Sequence, residues 1–295
     1  VAEEHRRTIG EVGGFLRSAC AAWLMLAASC TTTTGGGEDG DAAPLNDAIA
    51  SGGGDSGTAC VPPEGSATGK LVRVIYMVPS DRDPDPRYIA SLKSATLSLQ
   101  LWLRDQMPNK TSFRLHSPLV NVVKTEHPEA YYNEDHTGAT DLIFWDNVRD
   151  DTFLHLDTDW DDPNNVWLVY ADVDEACGQR AGAVAHLAVF PRNDLRGLID
   201  EPRVPPCGDD PDEYGRCRWV GGMGLLMFTA MGVANPADGD CDDACRNSLL
   251  TWWGYTAFPD ATVTDAQKDY LAGTGFVSAV GLPDCEVDCS LVPAP

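Results

Sequence analysis

The stretch Gly221–Pro236, GGMGLLMFTAMGVANP, decides how this chain is read. It carries no charge, its apolar residues follow one another, and glycines stand at 221, 222, 224 and 232 with a proline at 236. Such a run reads first as a helix from about 219 to 231 that is apolar all round and therefore buried. Small residues alone assign it no chemistry. What surrounds it decides whether it is more than core.

Upstream, KLVRVIYMVPS (70–80) is a β-branched run closed by a Pro- and Asp-rich turn, which predicts a buried strand. Tyr88, Leu92, Ala95, Leu99 and Trp102 recur at spacings of three and four, predicting an amphipathic helix over about 87–106. SFRLHSPLVNVVKT (112–125) reads as further strand with a proline break. A second helix is expected over 139–156, with Leu142, Trp145, Val148 and Phe153 as its stripe. NVWLVYADV (165–173) is a strand. GAVAHLAVF (182–190) reads as one more, with Val184, His186 and Ala188 facing one way and Ala183, Ala185, Leu187 and Val189 the other. From Pro191 to Arg218 the chain is rich in Pro, Gly, Asp and Cys. Beyond the quoted helix come NSLLTWWGYTAFPD (247–260) and a short helix near 264–272. The order of elements is that of an α/β fold, with no internal repeat.

Two stretches in this order, CRWVGGMGLLMFTAMGVANP (217–236) and NSLLTWWGYTAFPDATVTDAQKDYL (247–271), make the region from about Lys70 to Pro283 resemble the metzincin-type zinc metalloprotease lipoproteins. The resemblance implies a zincin-like fold over 70–295: a mixed sheet lobe with long helices, an active-site helix, and an irregular C-terminal lobe containing disulfides. The family signature H-E-x-x-H-x-x-G-x-x-H, laid on this chain, puts Leu225, Leu226, Thr229 and Asn235 where His, Glu, His and His are expected. Gly232 falls on the motif glycine. In the family the two helical histidines grip zinc from one face, the Glu polarises the metal-bound water, and the glycine turns the chain so that a third His closes the site. Leucine has no lone pair for a metal, Thr and Asn are poor zinc ligands, and Leu226 cannot take a proton. Leu250 and Thr251 stand where the methionine of the family's Met-turn is expected. The resemblance therefore implies the scaffold of a protease without its catalytic residues, metal or cofactor. It also implies that an extended peptide would lie antiparallel along an edge strand. By order along the chain that strand is GAVAHLAVF, with Val184, Ala185, His186 and Leu187 at its centre. The competing expectation is an interior strand and a cleft closed by Leu225 and Leu226.

The N-terminal residues read differently. His5-Arg6-Arg7 and Arg17 are a positive region, and ACAAWLMLAASC is a short apolar run ending in small residues before Cys30. This predicts an export signal over 1–30. Ala27-Ala28-Ser29-Cys30 resembles a bacterial lipobox, in which Cys30 receives the lipid; a plain cleaved signal peptide is the alternative. Residues 31–69, mostly Gly, Ser, Thr, Ala and acid, are expected to be a disordered tether. The expected setting is a bacterial cell envelope, with the membrane reached through the lipid alone, or secretion.

Forty-five acids against 21 bases give a net charge of -24 over 295 residues. Binding to phosphate draws on clustered Lys and Arg, so nucleic acid is excluded as a partner. Cys60, Cys177, Cys207, Cys217, Cys241, Cys245, Cys285 and Cys289 are an even set and, in an exported chain, read as disulfides. The C-x3-C pairs 241/245 and 285/289 leave a four-thiolate zinc site as the alternative. His116, His127, His136, His155 and His186 are read as structural, since no two stand four apart. DTDWDDPNN (157–165) has the alternating acids of a calcium loop but Asp162 at its sixth position, where glycine is needed, and reads as a solvated acidic loop. A G-x-S-x-G elbow and phosphate-binding glycine loops are absent. The sequence thus points to an exported, lipid-anchored pseudo-metalloprotease that binds a peptide or an envelope protein. The alternatives are a hydrolase with relocated residues, zinc among them, and a structural surface lipoprotein without ligand.

Overall fold

The fold is seen in a computed structural model that describes residues 69–136, 138, 142–160, 162–175, 181–202, 215–234, 246–284, 288–293 and 295, with backbone only for Trp252 and Trp253. All belong to the compact unit 47–295. The signal, Cys30, most of the tether and six of the eight cysteines lie outside the described residues.

At the centre is β1 (Leu71–Val78), buried along nearly its whole length, as a strand covered on both faces must be. It pairs in parallel with β3 (Leu115–Lys124) on one side and β4 (Asn165–Ala171) on the other. β4 pairs in parallel with β6 (Leu187–Phe190), and β5 (Gly182–Val184) pairs antiparallel to β6 at the edge. The sheet is mixed, in the order β3-β1-β4-β6-β5. The proline break falls inside β3 rather than ending it, and the register with β1 shifts there, from Val72 opposite Leu115 to Val74 opposite Val120. A second, two-stranded sheet joins β2 (Thr111–Phe113) to β7 (Val277–Ala279).

Helices cover both faces. α1 (Pro86–Gln106) begins where Asp85 accepts a hydrogen bond from the Arg87 amide at 2.8 Å and proline occupies the first turn, a strong start signal. α3 (Arg192–Leu198) and α4 (Gly215–Ala230) lie with α1 on the side of Val72, Val74, Tyr76 and Val78. α2 (Ile143–Leu156) and a 3-10 turn (Glu129–Asn133) cover the other side, over Ile75 and Met77. α5 (Trp252–Thr256) and α6 (Asp265–Thr274) complete the C-terminal part, α6 opening on a capping box between Thr264 and Gln267. Among the described residues, no helix is long and apolar enough to cross a membrane.

The stripe expected for α2 is corrected. Leu142 precedes the helix and is 39% exposed, while the buried positions are Phe144, Asn147, Val148, Asp151 and Thr152. Three of these are polar and partnered: Asn147 donates to the Glu134 carbonyl at 2.9 Å, Thr152 to the Val148 carbonyl at 2.7 Å, and Asp151 accepts from Tyr132. A pattern of apolar residues does not register buried polar groups that find partners. Trp145 and Phe153 pack partly buried against the core on this face, as expected of the stripe, and also meet Trp160.

A buried arginine fixes α3 to the end of the sheet. Arg192 donates to Asp172, to Asp174 at 2.7 Å and to Glu129 at 2.6 Å, so one guanidinium joins β4, α3 and the 3-10 turn. Such a charge is tolerated in the interior because every lobe of it is paired.

Candidate functional site

α4 is not uniformly buried. Val220, Gly221, Met223, Gly224, Met227, Phe228 and Ala230 are core, while Gly222, Leu225, Leu226 and Thr229 are half-buried. Positions 222, 225, 226 and 229 are spaced by three and four, so they form one stripe along the helix. Leu225, Leu226 and Thr229 therefore share one face. Its chemistry is apolar apart from the Thr229 hydroxyl, which donates to the Leu225 carbonyl at 2.8 Å.

The glycines of the quoted stretch have separate physical reasons. A Cβ on Gly221 would stand 2.1 Å from the backbone oxygen of Tyr255, so this glycine lets α4 and α5 meet. One on Gly224 would strike Leu249 and Leu99. Gly232 has φ +87°, and the Gly232 amide donates to Thr229 while that of Val233 donates to Phe228. This pair of bonds with a left-handed residue between them is a Schellman cap. The turn expected of Gly232 is thus present. Asn235, the remaining position of the degenerate motif, lies outside the described residues.

Leu249 and Leu250 are buried in the same core as α4, and Leu249 is the side chain that meets Gly224. A tight turn forms from Ser248, with the Thr251 amide donating to the Ser248 carbonyl at 3.0 Å.

The strand expected over 182–190 is corrected. It is a hairpin: β5 and β6 pair with each other, Val184 opposite Leu187, and Ala185 and His186 form a two-residue turn with φ of +29° and +71°. Two positive φ values are what the right-handed twist of a tight hairpin demands, normally met by Asn-Gly or Gly-Gly. Here tertiary bonds impose them: the His186 amide donates to the Ala230 carbonyl at 2.9 Å, its carbonyl accepts from the Trp167 amide at 2.8 Å, and its Nδ1 lies 2.6 Å from the Asp162 carbonyl. Of the four residues expected on a peptide-binding strand, Val184 is on the edge, Ala185 and His186 are the turn, and Leu187 is on the buried strand β6. The edge itself is β5, three residues long and half-buried. α4 packs against both β5 and β6. Ala183 of β5 and Leu225, Leu226, Cys217 and Trp219 of α4 all border one core as half-buried residues. Among the described residues β5 ends the sheet, and Ala183 packs on the same core as the half-buried face of α4.

Solved structures give a likeness. The chain is similar to OgpA of Akkermansia muciniphila. In a catalytically inactive form of OgpA bound to an O-glycopeptide, glycodrosocin, 17% of residues are identical over 74% of this chain and 64% of that one, with a TM-score of 0.48. In wild-type OgpA the figures are 18%, 71%, 62% and 0.48. This chain thus spans less than two thirds of the OgpA chain. Archaemetzincin of Methanopyrus kandleri is 11% identical over 71% of this chain and 97% of that one, with a TM-score of 0.39. No family model matches the chain. No curated protein matches it either.

Cys217 and Cys289 form a disulfide across 72 residues, with Cα atoms 5.0 Å apart. This corrects the four-thiolate alternative, because Cys289 is not available beside Cys285. Cys60, Cys177, Cys207, Cys241, Cys245 and Cys285 lie outside the described residues. Next to the bridge, the buried Arg216 guanidinium donates to the carbonyls of Leu198 at 2.7 Å, Cys289 at 2.6 Å and Ser91 at 3.3 Å, and burial lowers its pKa to about 10. Asp162 of the acidic loop accepts from the Asn164 amide at 2.9 Å and the Asn165 side chain at 2.7 Å. These bonds outweigh the burial that would raise its pKa and hold it low. Its role is to cap the entry to β4.

Proposed function

We propose that residues 70–295 are a zincin-like domain without a metal site on α4, which binds an extended peptide between the edge of β5 and the open face of α4. The observation that carries this reading is the stripe Gly222-Leu225-Leu226-Thr229. The motif positions for metal and base line an accessible face, whereas a helix that served only as core would be covered there. Two leucines and a threonine cannot activate a water, and zinc lowers the pKa of its water from about 15.7 to about 7. The same leucines are well suited to apolar side chains of a bound peptide, whose main chain would pair with β5. In the same reading the protein is exported and lipid-anchored at Cys30, and its partner is a peptide or an envelope protein.

The test uses fluorescence polarisation with a library of extended peptides, together with an assay for their cleavage with and without a chelator. Binding without cleavage is expected. Leu226→Lys should weaken that binding at least tenfold in a protein that still folds, because the side chain is only partly buried. Chelator-sensitive cleavage, or binding indifferent to Leu226→Lys, would overturn the reading.

A further inference from the structure

We propose that His127, Asp151 and His155 form a binding site for a divalent transition-metal ion, on the face of the sheet opposite α4. Asp151 and His155 are one turn apart on α2 and project from one face of it. His127 comes from the segment between β3 and the 3-10 turn. The Nε2 atoms of His127 and His155 lie 3.6 and 3.9 Å from one and the same oxygen, Asp151 Oδ1.

Those distances discriminate between two arrangements. An imidazolium donating to a carboxylate closes to about 2.7–2.9 Å, so neither contact is a hydrogen bond. Two ligands of one tetrahedral zinc, each about 2.0–2.1 Å from it, stand about 3.3–3.4 Å apart. Each imidazole is therefore close to ligand spacing from Asp151 Oδ1, the His155 contact being the more open. The imidazoles are not within 4.8 Å of each other, so His127, 35% exposed, swings inward on binding.

The surroundings fit a ligand shell. Asp151 is 3% exposed, and its other oxygen receives the Tyr132 hydroxyl, which itself lies 2.8 Å from Thr125 Oγ1. This orients Oδ1 toward the histidines, as carboxylate ligands are oriented by outer hydrogen bonds. His155 Nε2 is enclosed without a hydrogen-bond partner. A buried polar nitrogen left without a hydrogen bond costs free energy, which an ion bound to it would recover. The His127 ring stacks on Tyr131 at 3.7 Å between centroids and 8° between planes. Two imidazoles and one carboxylate suit Zn2+ or Co2+ and not Ca2+ or Mg2+. The exposed side of His127 gives the ion an entry and leaves positions for water. Nothing here depends on peptide binding at α4.

The test is uptake of Zn2+ by the whole chain with its disulfides intact, followed by calorimetry and by elemental analysis after dialysis. Co2+ serves as an absorbing substitute. The wild type should hold one ion per chain and give a Co2+ ligand-field band. His127→Ala, His155→Gln and Asp151→Asn should each weaken uptake at least tenfold. His127 is exposed enough that His127→Ala should melt like the metal-free wild type, and it should bind peptide unchanged, which separates this site from the α4 cleft. No uptake by the wild type overturns the proposal. Uptake unaltered in all three variants does so too, because the ion is then held by other groups.

Discussion

At the scale of single residues, burial is the main lever on titration. Glu175 is 8% exposed, its Oε2 has no hydrogen-bond partner, and burial pushes its carboxyl up to about 6 from 4.5. The folded value stands above the unfolded one, so the folded state holds more protons between those values and stability falls as pH rises through that window. The loss amounts to about 2 kcal/mol. Asp174 and Asp162, held low, act in the opposite sense and lose stabilisation at lower pH. The difference between wild type and Glu175→Gln isolates the one group. Melting curves from pH 4 to pH 7 should show the variant gaining on the wild type as pH rises; parallel curves would mean that Glu175 is solvated. Neither this residue nor the histidines around Asp151 announced themselves in the sequence. His127 is far along the chain from the helix that carries its partners, and only the packing of the 3-10 turn on α2 brings them together. Leu225 and Thr229 share one helix face, as their spacing of four requires, because the spacing of a helix is fixed whatever the side chains are.

At the scale of elements, adjacent glycines of α4 make a sharp comparison. Gly221→Ala forces a methyl against the backbone of Tyr255, which cannot give way without moving α5, and should cost about 1–3 kcal/mol. Gly222→Ala meets nothing within 4 Å and should gain about 0.5–1 kcal/mol from reduced backbone freedom of the unfolded chain. Urea midpoints on either side of the wild type are expected, and a Gly221→Ala protein as stable as the wild type would show that α4 and α5 do not touch as described. The elements most legible in sequence were β1, a β-branched run closed by a Pro- and Asp-rich turn, and α1, whose apolar residues recur at three and four. The hairpin at 185–186 was illegible for a definite reason. Its turn residues are Ala and His, which carry no turn signal, and the bonds that hold them come from α4, β4 and the acidic loop. Replacing Ala185 with proline therefore probes the turn and not an edge strand, since proline cannot take a positive φ.

At the scale of the whole molecule, the acidic surplus and the reading of the N-terminal residues combine into one expectation. Labelled palmitate should enter the full chain and not Cys30→Ala, and equal labelling of both would leave a plain signal peptide. The α/β class was legible from the order of elements, whereas the pairing of Cys217 with Cys289 could not be read from spacing, since eight cysteines allow 105 pairings. That bridge closes a loop which, by chain entropy alone, is worth about 4 kcal/mol. Beside it Arg216 draws together carbonyls from α1, α3 and the C-terminal tail. During synthesis Cys217 emerges 72 residues before its partner. The first turn of α4 consequently waits for Cys289, with an unpaired thiol and one unfilled donor direction on Arg216, because the Ser91 and Leu198 carbonyls are already made. A chain cut just before Cys289 would keep every described strand and still never be latched.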